Sequence, residues 1–228
     1  MRVINVCVSE EIHEACPKFR GCMVSAEITN TPYNEELWAE IEKETERLTL
    51  QHDTESIKRI SGIAATRNAY KRCGKDPSRY RPSNEQLIRR VIQGKGLYQI
   101  NTVVDLVNLA SIRYGYSIGG FDLEKVVGDE VALGIGQEGE PYEGIGRGAL
   151  NIAGMPVYRD SAGGIGTPTS DHERTKLSLE TTQFLAFVNG YDGNDAHTLA
   201  CGQFIAELLK RYAMGEDVTV KVFGFRGC

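Results

Sequence analysis

Residues 101–130, NTVVDLVNLASIRYGYSIGGFDLEKVVGDE, constrain the fold more than any other stretch of the chain. Asn101 carries a side-chain oxygen able to cap the free N–H groups at a helix start. Val103, Val104, Leu106, Val107, Leu109, Ala110 and Ile112 then leave little polar face, so the helix has to be buried on most sides. Arg113 suits the negative helix end, and Gly115 can take the left-handed conformation that closes it. Two polar residues, Asp105 and Asn108, interrupt the apolar surface. Burying such a group alone costs roughly 2–7 kcal/mol, so each is expected to have a specific partner. Gly119-Gly120 follows, where backbone can approach a ligand or another strand closely.

The segments around this helix read as a mixture of strands and helices. Val3–Val8 and Phe19–Ile28 are strand candidates, with a helical turn through Glu10–Cys16 between them. Asn34 with Glu35-Glu36 starts a helix whose stripe is Leu37, Trp38, Ile41 and Leu48. Asp53 is expected to cap the next helix, broken near Gly62 and ending by Gly74. Ser83-x-x-Gln86 reads as a capping box for a helix carrying Leu87, Ile88, Val91 and Ile92. Past residue 130 the period shortens. Glu130–Ile135 and Glu140–Ile145 read as a hairpin turning at Glu138-Gly139, and Met155–Arg159, Leu177–Glu180 and Phe184–Val188 as further strands. Asn194-Asp195 caps an amphipathic helix, and Val218, Val220 and Val222 alternate as a terminal strand. The expectation is one compact α+β domain over 1–228, a mixed β-sheet with helices packed on it. Its 1–100 part is helix-rich.

At 228 residues, a chain buries about 70–75% of its unfolded surface and needs no staples. No apolar run approaches the roughly 18 residues of a membrane helix, and the N-terminus lacks a signal-peptide core, so a cytoplasmic location is expected. Cys7, Cys16, Cys22, Cys73, Cys201 and Cys228 lack C-x-x-C spacing or a completing histidine pair, so no metal site is expected and all six read as reduced thiols. No cofactor is expected either. Gly144, Gly146 and Gly148 lie in GIGRG, which lacks the strand-turn-helix context of a nucleotide loop.

The net charge of −5 hides a block structure. Residues 10–55 hold twelve acids and four bases, whereas 58–95 hold eleven bases and two acids. Within the basic block, Arg67, Lys71, Arg72, Lys75, Arg79 and Arg81 are candidate phosphate contacts. Tyr80, between two arginines, has the composition to stack a base. The alternative is a solvated face balancing the acidic helix before it, with Tyr80 packed under a loop.

The pattern N-x-V-V-D-L-x-N, followed by G-x-F-D-L-x-K, resembles the tRNA-binding and editing module, the B3/B4 domain, of the bacterial phenylalanyl-tRNA synthetase β chain. The likeness runs from about Asn101 to Glu180, and makes 101–228 an editing-module-like core. Synthetase ATP-binding motifs are absent, so no complete tRNA ligase is expected. In the family this module hydrolyses tyrosine wrongly attached to the phenylalanine tRNA. The resemblance implies an editing-like protein acting on aminoacyl-tRNA in trans, or a non-catalytic binder of an aromatic amino acid or related small molecule. It implies substrate contacts at Asn108, at the glycine pair Gly163 and Gly164, and at Glu180. Gly119 stands where the family has a pocket histidine. Either His172 or another group substitutes for that imidazole, or the pocket only binds. An aminoacyl ester is already activated, so positioning water and stabilising an oxyanion can suffice for hydrolysis.

Overall fold

The structure, a computed structural model, describes residues 2–225. Its first part runs β1 (Asn5–Val8), α1 (Glu10–Ala15), β2 (Arg20–Glu27), α2 (Glu35–Gln51), α3 (Ser61–Arg72), α4 (Ser83–Ile92) and α5 (Thr102–Tyr114). Then come β3 (Ser117–Asp122), β4 (Glu130–Ile135), the two-residue strands β5 (Glu143–Gly144) and β6 (Gly148–Ala149), β7 (Pro156–Asp160) and β8 (Gly163–Gly166). The chain closes with β9 (Gln183–Gly190), α6 (Asp195–Tyr212) and β10 (Glu216–Phe223). Among the described residues no helix is long and apolar enough to cross a membrane.

The fold class is α+β. One four-stranded sheet has the order β10-β2-β9-β3 and is antiparallel throughout. The other has the order β1-β4-β7-β8 and is mixed, because β1 runs parallel to β4. Side chains alternate across a strand, and here both faces of the antiparallel sheet are used. Cys22, Val24 and Ala26 of β2, with Phe184, Ala186 and Val188 of β9, face the helical core of α2 to α6. Met23, Leu185 and Phe187 face the other way, into a second core with Val8, Val131, Leu133, Tyr158 and Ile165. The layers are therefore helices, antiparallel sheet and mixed sheet.

Local chemistry sets the helix ends. Asn34, Asn101 and Asn194 each accept a hydrogen bond from the backbone N–H three residues on, at 3.0, 3.0 and 3.1 Å. Gly115 closes α5 with φ of 72°. The capping box does not form: Pro82 precedes α4, and Gln86 Nε2 donates instead to Arg81 O. The break before α3 falls at Ile60, after a 3-10 turn at Ile57–Arg59, rather than at Gly62.

Three other expectations change. β4 pairs with β1 and β7, so there is no 130–145 hairpin; residues 143–144 pair with 148–149 instead. Residues 177–180 form a turn, not a strand. Cys7 is disulfide-bonded and is not a reduced thiol, whereas Cys16, Cys22, Cys73 and Cys201 are free. Cys228 lies outside the described residues. Cys16 and Cys22, neighbours in sequence, belong to cores on opposite faces of the antiparallel sheet.

Candidate functional site

The two polar residues of α5 have different fates. Asp105 is buried and fully engaged: Trp38 Nε1 donates to it at 2.9 Å and the Ile100 N–H at 3.0 Å. Burial holds its carboxyl above the usual range despite those bonds. Asn108 is half-buried, and its side chain has no hydrogen bond among the described residues. It faces a cavity of about 490 Å³ between α4, α5, the 145–147 turn and Thr169-Ser170. The amide that lacks an internal partner is the one that opens on solvent.

The cavity wall is rich in cations. Arg81, Arg89, Arg90, Lys95 and Arg147 line it, with no carboxylate among the lining residues. Beneath them Glu85, fully buried, holds Arg67 at 2.8 Å and Arg89 at 3.0 Å. Arg81 Nε lies 3.4 Å from the same carboxylate, in ion-pair range but outside hydrogen-bond geometry. Arg90 stacks over the Tyr98 ring at 3.6 Å, and Arg147 donates to Gln86 Oε1 at 2.6 Å. Arg90, Lys95 and Arg147 have no ion-pair partner among the described residues, so their charge is available to an anion. Leu87, Tyr98 and Ile145 add apolar surface.

The six basic residues singled out from sequence do not share one surface. Arg81 alone of them lines the cavity. Arg67 is spent on Glu85, Pro77 O and Ser78. Lys75 is buried, donates to Asn151 O at 2.7 Å, and is held below the usual lysine range by that burial. Lys75 Nζ and the Arg79 guanidinium lie 3.8 and 5.5 Å from the centre of the Tyr80 ring, which packs against a small aromatic core. Lys71 is exposed, and Arg72 lines a different cavity.

Of the pocket residues implied by the resemblance, Asn108 lines the cavity and the others do not. Gly119 is buried in β3. A β-carbon there would sit 2.6 Å from the Phe121 ring and 3.0 Å from Asp171 Oδ1, so the space beside it is already filled. Gly164 packs against Tyr142, whose hydroxyl donates to Ser170 O on the cavity wall at 2.7 Å; Gly163 has open space beside it. Glu180 is exposed in the 177–180 turn, where the Ser178 hydroxyl holds its carboxyl below the usual range. His172 caps a 3-10 turn, its Nδ1 accepting from the Arg174 N–H at 2.9 Å. Asp160 is paired with Arg174 at 2.8 Å and is structural.

Asp171 escaped the sequence reading. It adjoins Ser170, accepts from the Gly120 N–H at 3.0 Å, and lies against both Gly119 and Gly166. Desolvation raises its carboxyl to about 7, with the Gly120 bond opposing. Arg147 carries no local signal either, because the GIGRG stretch around it has only the glycine pattern of a loop. Arg89, Arg90 and Lys95 were visible in the basic block, but nothing local marked them as the residues that converge.

The sequence matches the B3/4 domain family over residues 65–213, well over half of the chain. The protein belongs to that family. The match is wider than the motif-bearing stretch and takes in α4 and α6 as well. Among solved structures, the chain is similar to an N-terminal fragment of the phenylalanyl-tRNA synthetase β-subunit from Pyrococcus horikoshii, at 12% identity and a TM-score of 0.46. That alignment covers 100% of this chain and 53% of the fragment, so the chain spans about half of its length. No curated protein matches the sequence.

Proposed function

We propose that this B3/4 protein binds the aminoacylated 3′ end of a tRNA in the cavity beside Asn108 and hydrolyses the aminoacyl ester in trans. The observation carrying this reading is the coincidence of three cations free of carboxylate partners with an unpaired amide and apolar surface in one cleft. Phosphates would meet Arg90, Lys95 and Arg147, and the aminoacyl group would meet Asn108, Leu87 and Ile145. Asn108 then acts as a positioning residue for the ester or the attacking water. Positioning carries much of the chemistry, because the ester bond is already reactive.

Binding and deacylation across a panel of correctly and wrongly charged tRNAs test this. Three phosphate contacts on a single-stranded end give a slope of about −2 for log affinity against log salt. Replacing Asn108 by Ala should lower turnover by about tenfold or more while shifting Tm little, because no internal bond is lost. No tRNA binding at low salt, together with no ester turnover, would overturn the proposal.

A second reading is a binder of an aromatic amino acid or related small molecule without catalysis, favoured because no histidine is among the residues lining the cavity. Calorimetric heat with free amino acids and no turnover of any charged tRNA selects that alternative.

A further inference from the structure

A second cavity, of about 210 Å³, shares no lining residue with the basic cleft. Ala65, Asn68, Ala69 and Arg72 of α3 line it, at the spacing that brings side chains onto one helix face. Lys18 joins them from the loop after α1, and Asp192 from the loop after β9. Three of these side chains are charged, and each is held by something other than an opposite charge. Asp192 accepts from the Tyr116 hydroxyl at 2.9 and 3.0 Å, and from the Ser61 hydroxyl and the Asn194 N–H at 3.2 Å each. All of those donors are neutral. Arg72 Nη1 donates to Ala15 O at 3.4 Å, leaving its other N–H groups without a protein partner. The aliphatic stem of Lys18 lies along Gly193, whose β-carbon, were there one, would sit 3.3–3.6 Å from it. Among the described residues, neither cation has a carboxylate in ion-pair range and Asp192 has no cation there.

We propose that this cavity binds a free α-amino acid with a small side chain, its carboxylate on Arg72 and Lys18 and its ammonium on Asp192. The charge pattern carries the assignment. A simple anion would suit the two cations but be repelled by Asp192, and a simple cation would meet the reverse. A zwitterion, with both charges a few bonds apart, suits all three groups at once. Guanidinium is well matched to a carboxylate, to which it can donate two parallel bonds. Asn68, one turn before Arg72 on the same face, has an amide with no hydrogen bond among the described residues and can add a further donor. Size narrows the class. Pockets for drug-sized ligands run to about 300–1,000 Å³, so this smaller one suits a molecule of few heavy atoms. Ala65 and Ala69 offer methyl groups, which fit a short side chain.

Titration of the folded protein with L-alanine, followed through its backbone amide NMR signals, tests this. So small a ligand is expected to bind with a Kd of about 1 mM. The expected shifts fall at residues 65–72 and 191–193, with Asn108 and α4 unmoved. Propionate lacks the ammonium and ethylamine lacks the carboxylate, so each should bind about tenfold or more weakly than L-alanine. Asp192→Asn keeps an acceptor for the Tyr116 hydroxyl and should abolish the preference for L-alanine over propionate. Arg72→Gln, at an exposed position, should weaken L-alanine about tenfold. Propionate or inorganic phosphate binding as tightly as L-alanine would show a site for anions only and overturn the proposal. L-alanine shifts confined to Asn108 and α4 also overturn it, since they place the amino acid in the basic cleft. So does the absence of shifts at 65–72 with L-alanine at about 10 mM.

Discussion

At the scale of single residues, Asp171 joins an unusual environment to a measurable consequence. Its folded carboxyl titrates near 7, while the unfolded chain releases that proton near pH 4. The folded state therefore holds more protons than the unfolded state between those values, and stability falls as pH rises through the window. The group's contribution is fully present below about pH 4 and is lost by about pH 7. Replacing Asp171 by Asn should flatten this slope while keeping an acceptor for the Gly120 N–H. Urea unfolding between pH 4 and 8 checks it: relative to the variant, the wild type should lose up to about 4 kcal/mol. Parallel curves for the two proteins count against the assignment. Residue-level features were legible in the sequence where their cause is local. Asn34, Asn101 and Asn194 cap helices through bonds to the third residue on, and Gly115 closes α5 with its own backbone. Asp105 and Asn108 stood out equally, but which one is satisfied depends on Trp38, 67 residues from Asp105. Asp171 was silent for the same reason, because Phe121 and the glycines of β3 and β8 pack around it from elsewhere in the chain.

Among the elements, α4 is the wall that gives the cleft its charge. One carboxylate, Glu85, anchors arginines from three places: Arg67 on α3, Arg81 just before α4, and Arg89 one turn on. Removing one partner from a buried ion pair leaves uncompensated charge and costs roughly 3–5 kcal/mol. Replacing Glu85 by Ala should therefore destabilise the fold by about that much in urea titration, with Glu85→Gln milder because it keeps an acceptor. A loss under about 1 kcal/mol for Glu85→Ala would show that these arginines are held by solvent instead. The periodicity of α2, α5 and α6 was readable because each buries a stripe whose spacing is written in the chain. The partners of β4 were not, since an apolar run pairs as readily with a distant strand as with the next one. Glu140, expected in a hairpin, instead holds Arg159 of β7 at 2.7 Å.

For the whole molecule, the family match and the sheet divide the chain differently. The match covers 65–213, but β2, inside the antiparallel sheet, comes from residues 20–27. We expect residues 2–225 to unfold as one cooperative unit, and a 65–213 fragment to remain unfolded. Circular dichroism and proteolysis of the two polypeptides decide this, and a stable fragment with native-like melting argues for a smaller autonomous unit. β9 would lose β2, and the hydrophobic faces of both cores would lose a strand. The same pairing imposes an order on biosynthesis. β2 has two neighbours, β9 and β10, and both lie in the last fifth of the chain. A strand at residues 20–27 stays unpaired until residues 183–190 have been made, about 150 residues later. Its apolar edges stay open to other nascent chains throughout that interval, so late elongation and prompt chaperone cover decide how much protein reaches the native sheet.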